Sequence, residues 1–194
     1  MGEPKLHMGV DEYLAFDRAT PTKYELWDGE VFAMSGASLA HNRIVRNLVR
    51  HMGNALEGMG CEVLPSDMRV RLGLRDRYVY PDVTIVCGPP RLEGEDDVLV
   101  NPNLVVEVLS PSTEAFDRGD KFVGYRSLAS IREGVLVSQD ARRVECYTRQ
   151  LDDSWILREH TRGSAIPIGP VALTIDGLYA GVELPEGDAA PAHQ

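Results

Sequence analysis

Hydrophobic and polar positions recur along the chain with two periods, one typical of helices and one typical of strands. In 39–57 the apolar residues lie three and four positions apart, which predicts an amphipathic helix, and Ser38 is placed to cap it. The segment 10–18 suits a short helix, with acidic residues near its N-terminus. A third helix is predicted over 113–128, although two internal glycines weaken it.

Strand-like segments fill much of the remaining chain. Two runs, 24–27 and 30–34, flank the dipeptide Asp28-Gly29, which is among the strongest local signals of a β-hairpin. The other predicted strands either alternate with period two or are apolar throughout. They are 61–64, 68–72, 82–87, 104–109, 134–138, 143–148, 155–160 and 171–175.

Length and composition fit a single folded domain. The chain has 194 residues, of which 43% are hydrophobic and 26% are charged, enough apolar material for a core. No repeat or linker divides it, so we expect one domain over 10–184, with flexible tails at 1–9 and 185–194. No apolar run approaches the roughly 20 residues that cross a bilayer, and no secretory signal is visible. These features favour a protein that has no contact with a membrane.

The cysteines and the net charge narrow the class of function. Cys61, Cys87 and Cys146 are far apart and form no Cys-x-x-Cys pair, so we expect reduced thiols that serve packing, which implies the cytoplasm. A net charge of −10 argues against a protein that holds nucleic acid through a broad positive field. It remains compatible with an enzyme that has a local basic surface and metal-binding acids.

One acid interrupts the most apolar of the predicted strands. Glu107 lies within 104–109, where an unpaired carboxylate would be costly and is most often used for a metal ion or a proton transfer. Asp82 begins a second apolar strand, and Lys121 lies in the helical stretch after the Glu107 strand. Two acids on neighbouring strands and one lysine are what a divalent-metal phosphodiesterase uses. The metal activates water and neutralises phosphate charge, and the lysine adds a positive charge.

Four motifs occur in order along the chain. They are YELWDGE from Tyr24, YPDV from Tyr80, VVEVLSPST from Val105 and DRGDKFVGY from Asp117. This ordered set, over about residues 10–175, resembles the Uma-two (Uma2) family of the PD-(D/E)XK nuclease superfamily. The resemblance implies an α/β (α+β) fold of the restriction-endonuclease type, a mixed β-sheet flanked by helices. An N-terminal hairpin and a C-terminal strand meander would complete it.

The resemblance also implies a site and an activity. Asp82 and Glu107 would bind Mg²⁺ (or Mn²⁺), with the backbone carbonyl of Val108 as a further ligand and Glu25 completing the metal shell. The superfamily's lysine normally stands two residues after the acid, where this chain has a leucine. Lys121 on the following helix would take its place. The implied activity is that of a magnesium-dependent endonuclease that hydrolyses DNA phosphodiester bonds.

Five residues are candidates for contact with DNA. Arg43 and Arg46 lie on the flank of the apolar stripe of 39–57, Arg69 and Arg71 lie in the densest basic stretch, and Tyr125 follows the lysine by one turn. A solvated helix face explains the first pair equally well, and a packing role explains the tyrosine. Because nucleases that cut both strands often pair two active sites, we expect a homodimer, in which two acidic copies assemble a basic groove.

The candidate residues also have structural interpretations. Glu107 could pair with an arginine of the basic stretch, Glu25 could face solvent at the hairpin edge, and His41 could be a solvated or capping residue at a helix start. Gln139 could reach the site, but no spacing requires it. The main alternative is therefore a non-catalytic interaction module that keeps the nuclease-like fold, and an arginine inserted between the two acids would favour it. A glycoside hydrolase that uses the same acids is a third hypothesis, disfavoured by an aromatic content of 7%.

Overall fold

A computed structural model describes residues 6–73 and 76–185 of the chain. The remainder of the predicted tails, 1–5 and 186–194, lies outside the described residues. In chain order the elements are β1 (Leu6–His7), α1 (Val10–Ala19), β2 (Tyr24–Trp27), β3 (Glu30–Ala33), α2 (Leu39–Leu56), β4 (Cys61–Pro65), β5 (Arg69–Arg71), β6 (Arg77–Val79), β7 (Val83–Cys87), β8 (Leu92–Glu93), β9 (Val98–Leu99), β10 (Leu104–Leu109), α3 (Glu114–Phe116), a π-helical turn (Asp117–Lys121), α4 (Phe122–Arg126), β11 (Glu133–Ser138), β12 (Arg143–Arg149), β13 (Trp155–Thr161), β14 (Ala165–Ile168), β15 (Val171–Thr174) and α5 (Ile175–Leu178). Among these, no helix has the length and apolar character needed to cross a membrane.

A six-stranded mixed sheet forms the centre of the molecule, in the order β13-β12-β11-β10-β7-β4. Strands β10 and β11 are parallel, and the other neighbours are antiparallel. The predicted meander is confirmed as β11, β12 and β13, and the predicted mixed sheet flanked by helices is confirmed as the fold class.

Both faces of β10 are buried because each packs against its own layer. Val106 and Val108 face α2, α5 and the β14–β15 hairpin, and Val105 faces a second cluster with Phe122 and Tyr125 of α4. Since side chains alternate between the faces of a strand, Glu107 lies on the α4 side with Val105. This alternation sets which helix can supply the partner of Glu107.

A second sheet covers that side of the central one. Its order is β1-β3-β2-β6-β5-β9-β8, and its predicted β2–β3 hairpin is confirmed, with Asp28 and Gly29 both at positive φ in the turn. Leu6–His7, predicted as part of a tail, pairs with β3. The remaining strands not predicted here, β6, β8 and β9, have only two or three residues, too few for a period to show. The β14 strand, outside this sheet, was also not predicted.

Helix α2 forms as predicted. The hydroxyl Oγ of Ser38 accepts a hydrogen bond from the backbone N–H of His41 at 3.0 Å, which caps the helix. Its buried stripe packs on the central sheet; the stripe consists of Ile44, Leu48, Met52 and Leu56. The start of this helix therefore has a fixed position relative to the sheet.

The third predicted helix is interrupted. Gly119, at φ −96° and ψ −108°, departs from helical geometry, so α3, the π turn and α4 replace one continuous helix. Gly124 serves a different purpose, because a Cβ atom there would lie 2.7 Å from Leu72 Cδ1. Gly119 therefore accounts for the break in the helix, and Gly124 allows α4 to approach Leu72 closely.

The expectation of three reduced cysteines is wrong for this structure. Cys61 and Cys87 form a disulfide between paired positions of β4 and β7. Their separation of 26 residues hides this pairing in the sequence, because only the strand register sets them opposite each other. Cys146 is a free buried thiol, and burial raises its pKa to about 12.

Candidate active site

The two predicted acids meet at the end of the β7–β10 pairing. The last register pair of these antiparallel strands is Val83 with Val106, and one further step sets Asp82 opposite Glu107. Asp82 Oδ2 accepts a hydrogen bond from the backbone N–H of Val108 at 2.7 Å, which fixes this carboxylate against β10. Glu107 therefore lies on β10, and Asp82 directly precedes the neighbouring strand β7.

Lys121 is the cation that faces Glu107. Its Nζ atom lies 2.9 Å from Glu107 Oε1 and 3.0 Å from Glu25 Oε1, and all three side chains are buried. Glu25, on β2, also accepts a hydrogen bond from the backbone N–H of Tyr80 at 2.9 Å. Glu25 therefore belongs to the site and not to a solvent-facing hairpin edge.

Tyr125 and Asp117 complete the surroundings of this ion pair. The Tyr125 hydroxyl donates a hydrogen bond to Glu107 Oε1. Asp117 lies four residues before Lys121 on the π turn, with its Oδ1 atom 3.8 Å from Lys121 Nζ. The interrupted helix thus places both Asp117 and Lys121 beside Glu107.

A cavity of about 760 Å³ opens over these groups. Its walls include the segments 33–38 and 110–113, and its floor includes Asp82, Glu107 and Lys121. The hydroxyl groups of three wall residues form a small network, in which Ser110 Oγ lies 3.1 Å from Ser112 and 2.9 Å from Thr113. The site is accordingly an open recess with charged and hydroxyl groups in its lining, which a substrate group can enter.

Negative charge exceeds positive charge in this recess. Burial raises the pKa of Glu107 well above its ordinary value, and the Asp117 and Asp82 carboxylates raise it further against the opposing effect of Lys121. Burial would lower the pKa of Lys121, but the Glu107 and Glu25 carboxylates outweigh it, so its pKa is raised and it stays protonated. The Glu25, Glu107 and Asp117 carboxylates share Lys121, and Asp82 lies beside Glu107, so a further cation would relieve their repulsion.

The donor atoms of the recess are few and are oxygens. They suit Mg²⁺, which keeps several waters, better than a metal ion that needs all of its ligands from protein side chains. In the described part of the chain, no three His, Cys, Asp or Glu side chains are arranged as a metal site. Asp82 Oδ1 and Glu107 Oε2, however, accept no hydrogen bond from any described residue. The N–H and C=O of one strand residue point to the same side, so the Val108 carbonyl is directed toward Asp82 too. Two carboxylates and one carbonyl suit an ion that keeps several waters.

Comparisons with known proteins identify the family of the chain. A family model for Uma2, described as "Putative restriction endonuclease", matches residues 10–178. The chain therefore belongs to the Uma2 family. An uncharacterized protein of Synechocystis sp. is 33% identical over 181 residues, which cover 92% of this chain and 94% of that protein. A second uncharacterized protein of this organism is 36% identical over 149 residues, which cover 76% and 84%.

A crystal structure supports the fold assignment. It is titled as that of "a putative nuclease belonging to DUF820" from Anabaena variabilis. The two folds superpose with a TM-score of 0.68, at 17% sequence identity, over 89% of this chain and 97% of the other. At that identity the match shows a shared fold, and the chemistry of this Uma2 member rests on its own residues.

Two of the five candidate DNA contacts lie in the interior of this Uma2 protein. Arg69 is 4% exposed and pairs with Asp17 and Asp97, and Tyr125 is 1% exposed and bonds Glu107. Since a DNA contact needs an exposed side chain, both have internal roles in this structure. Their positions follow from packing that the local sequence does not reveal.

The other three candidates reach the surface without lining the recess. Arg43 pairs with Glu183 at 3.2 Å, Arg71 pairs with Glu93 at 2.9 Å, and Arg46 bonds its neighbour Asn47. Within the described chain, none of the five candidates lines the cavity. Besides Lys121, the cavity lining includes Lys23, which was not singled out from the sequence.

Two residues of the site carry weaker sequence signals. Asp117 was not predicted, although its spacing of four from Lys121 on a helical stretch is the signal that would have found it. His41 was interpreted as a solvated or capping residue. The structure instead sets its Nε2 atom 3.1 Å from Asp82 Oδ2, with both side chains 13% exposed. No local pattern predicts that contact, because α2 and β7 meet only in the folded protein.

Proposed function

We propose that this Uma2 protein is a magnesium-dependent endonuclease that hydrolyses DNA phosphodiester bonds. The observation that carries the proposal is the convergence of Asp82, Glu107 and Lys121 on one open cavity. Membership of a family described as "Putative restriction endonuclease" supports the same class of reaction. Buried acids with raised pKa beside an open cavity are typical of catalytic sites.

Asp82, Glu107 and the Val108 carbonyl would hold the cation. When bound, Mg²⁺ (or Mn²⁺) supplies an activated water and neutralises negative charge on the phosphate. Asp82 is fixed for this role by its hydrogen bond from Val108, and Glu107 by its contacts with Tyr125 and Lys121. Holding both acids on paired strands keeps their separation constant during turnover.

Lys121 would contribute a fixed positive charge beside the phosphate. Its ammonium group has three N–H donors, so it can contact a water or a phosphate oxygen while it keeps its ion pairs. Glu25 and Asp117 hold the ammonium in place from two further elements. Because its pKa is raised, the lysine serves as a charge and a water-orienting donor and not as a proton acceptor near pH 7.

A cleavage assay with matched variants tests this proposal. Supercoiled DNA is incubated with wild-type protein and MgCl₂, with wild-type protein and EDTA, and with Glu107→Gln in MgCl₂. We expect cleavage only in the first sample, with Glu107→Gln reduced by about 100-fold or more, because loss of an indirect metal contact alone typically costs 10- to 100-fold. Cleavage by wild type in EDTA, or equal cleavage by Glu107→Gln, would contradict the proposal.

Glu133→Gln is the matched control for that assay. Glu133 is also a strand glutamate whose pKa burial raises, but it accepts a hydrogen bond from Gly169 and lines a separate, smaller cavity. We expect its cleavage rate to equal that of wild type. Equal losses in both variants would indicate damage to the fold instead of removal of a site residue.

One observation favours the non-catalytic alternative. Lys121 already lies between two carboxylates, as a structural ion pair would. An arginine between Asp82 and Glu107 would have favoured this alternative more strongly. Arg69 and Arg71 pair with other acids instead. A protein that binds neither Mn²⁺ nor DNA would establish the alternative.

The homodimer and the cytoplasmic location stay predictions. With a net charge of −10, a single copy offers DNA little electrostatic attraction outside the cation site. Pairing of two copies would bring two recesses to one duplex. Light scattering at micromolar concentration measures the mass directly, and a monomeric mass would refute the dimer.

A further inference from the structure

His41 is a polar group of the recess to which the proposed reaction assigns no role. Its side chain projects from the first turn of α2 and contacts Asp82 at 3.1 Å. The capping of the helix does not need this side chain, because the cap bond uses only the backbone N–H of His41 and the hydroxyl of Ser38. The imidazole is therefore available for a separate function.

The position of His41 is fixed from the central sheet. Ser38 Oγ, which accepts from the His41 backbone, donates to Gln139 Oε1 at 2.6 Å. Gln139 is buried and directly follows β11, the parallel neighbour of the strand that carries Glu107. This connection joins the first turn of α2 to the sheet edge on which the site is built.

The surroundings of the two ring nitrogens indicate where the His41 proton lies. Nδ1 is buried and has no hydrogen-bond partner within the residues that the structure describes. An ionised carboxylate oxygen can only accept a hydrogen bond, so the contact of Nε2 with Asp82 Oδ2 places a proton on Nε2. In that tautomer the Nε2–H group donates to Asp82 Oδ2.

We infer that His41 is a positioning residue that orients Asp82 for the cation. Asp82 Oδ2 receives two donors, Val108 N–H at 2.7 Å and His41 Nε2–H at 3.1 Å, from two different directions. Two donors on one oxygen fix the carboxylate plane and leave Oδ1 as its free ligand atom. This inference rests on the proposed function, since it assigns His41 a role toward the same cation.

Mn²⁺ affinity in the absence of DNA tests the inference without relying on catalysis. Metal-free full-length protein is titrated with MnCl₂, and free Mn²⁺ is measured by electron paramagnetic resonance. In His41→Leu the donor is lost, and we expect affinity to fall by about 10- to 100-fold, as for other groups that orient metal ligands. The control His51→Leu makes the same change at a histidine of α2 that contacts Arg50 instead of Asp82, and its affinity should match wild type.

Two amide variants separate the hydrogen bond from packing and cover the case in which His41→Leu does not fold. A glutamine amide reaches the position of imidazole Nε2, whereas an asparagine amide reaches only that of Nδ1. His41→Gln should therefore retain wild-type affinity within a few-fold, and His41→Asn should lose as much as His41→Leu. Wild-type affinity in His41→Asn, or equal losses in the two amide variants, would overturn the inference.

The same titration distinguishes failure of this inference from failure of the proposed function. If wild type binds Mn²⁺ and Glu107→Gln does not, the cation site stands, and unchanged binding in His41→Asn would overturn only the role of His41. If wild type binds no Mn²⁺, both the inference and the proposed function are overturned.

Discussion

Two buried charge clusters lie on either side of Tyr80, and they differ in charge balance. In the first, Arg69 is 4% exposed and contacts Asp17 and Asp97, and Asp97 also receives two hydrogen bonds from Arg18. Two cations thus meet two buried or half-buried anions, and the largely exposed Glu95 lies 3.4 Å from Arg18. In the second, Lys121 is equally buried, at 4% exposed, but shares its charge with three carboxylates, and Asp82 adds a fourth acid beside Glu107.

The difference explains why only one cluster is a candidate active site. Every group of the balanced Arg69 cluster has a partner, including the Tyr80 hydroxyl, which donates to Asp17 at 2.6 Å and accepts from Arg69 at 3.0 Å. The Lys121 cluster opens on the cavity and keeps unbonded carboxylate oxygens. A balanced cluster stabilises the fold, whereas one with excess charge can bind a further cation.

The largest expected effect comes from removing the cation of the balanced cluster. Arg69→Met leaves Asp17 and Asp97 without their shared partner, and loss of one member of a buried ion pair costs about 3–5 kcal/mol. We expect the free energy of unfolding, measured by urea denaturation, to fall by that amount. A loss below about 1 kcal/mol would show that the Arg69 cluster does not stabilise the fold.

Cation binding should stabilise only through the unbalanced cluster. At free Mg²⁺ of about 100 times the dissociation constant, the free energy of unfolding of wild type should increase by about 2.7 kcal/mol. Glu107→Gln should show no increase, whereas Asp97→Asn should keep it, because Asp97 belongs to the other cluster. Denaturation with MgCl₂ and with EDTA provides the comparison, and stabilisation of Glu107→Gln would contradict the assignment.

The two clusters should respond to pH with opposite signs when no cation is present. Hydrogen bonds from Arg18, and then from Arg69, lower the pKa of Asp97. Its contribution is therefore present above about pH 4 and is lost as the pH falls through the lowered value. Because Asp97 is about one-third exposed, we expect no more than about 1 kcal/mol.

Glu107 should show the reverse trend. Burial raises its pKa in the folded state, so ionising it destabilises the protein progressively as the pH rises above about 4. From pH 4 to pH 7 in EDTA, the stability of Glu107→Gln should therefore increase relative to wild type. Relative to wild type, the stability of Asp97→Asn should stay nearly constant over that range and should rise as the pH falls below about 4. If the stability of both variants relative to wild type changed with pH in the same way, the distinction between the clusters would be lost.

The smallest effect is expected at the surface. Arg71, two residues from Arg69 on β5, pairs with Glu93, and both side chains are about one-third exposed or more. Arg71→Met should change the free energy of unfolding by less than about 1 kcal/mol, as is usual for a surface ion pair. A loss as large as that of Arg69→Met would mean that burial does not explain the stability of the Arg69 cluster.

Much of the architecture could be predicted because it is encoded locally. Asp28-Gly29 specifies the hairpin turn, and the stripe of α2 follows from its helical period. Glu107 could be singled out because one acid in an apolar strand requires a partner. The short strands β6 and β9 could not be predicted, since two or three residues form a strand only when neighbouring strands supply their hydrogen bonds.

The sequence by itself determined which residues could carry charge chemistry, and the tertiary structure decided which of them meet. Arg69 is closer to Asp82 in the chain than Lys121 is, yet it pairs with Asp17, 52 residues away. Cys61 and Cys87 meet across a strand register, and His41 meets Asp82 across a helix and a strand. Charges pair through space, and their positions depend on strand order and on the face that each residue occupies. Those properties exist only once the sheets have packed.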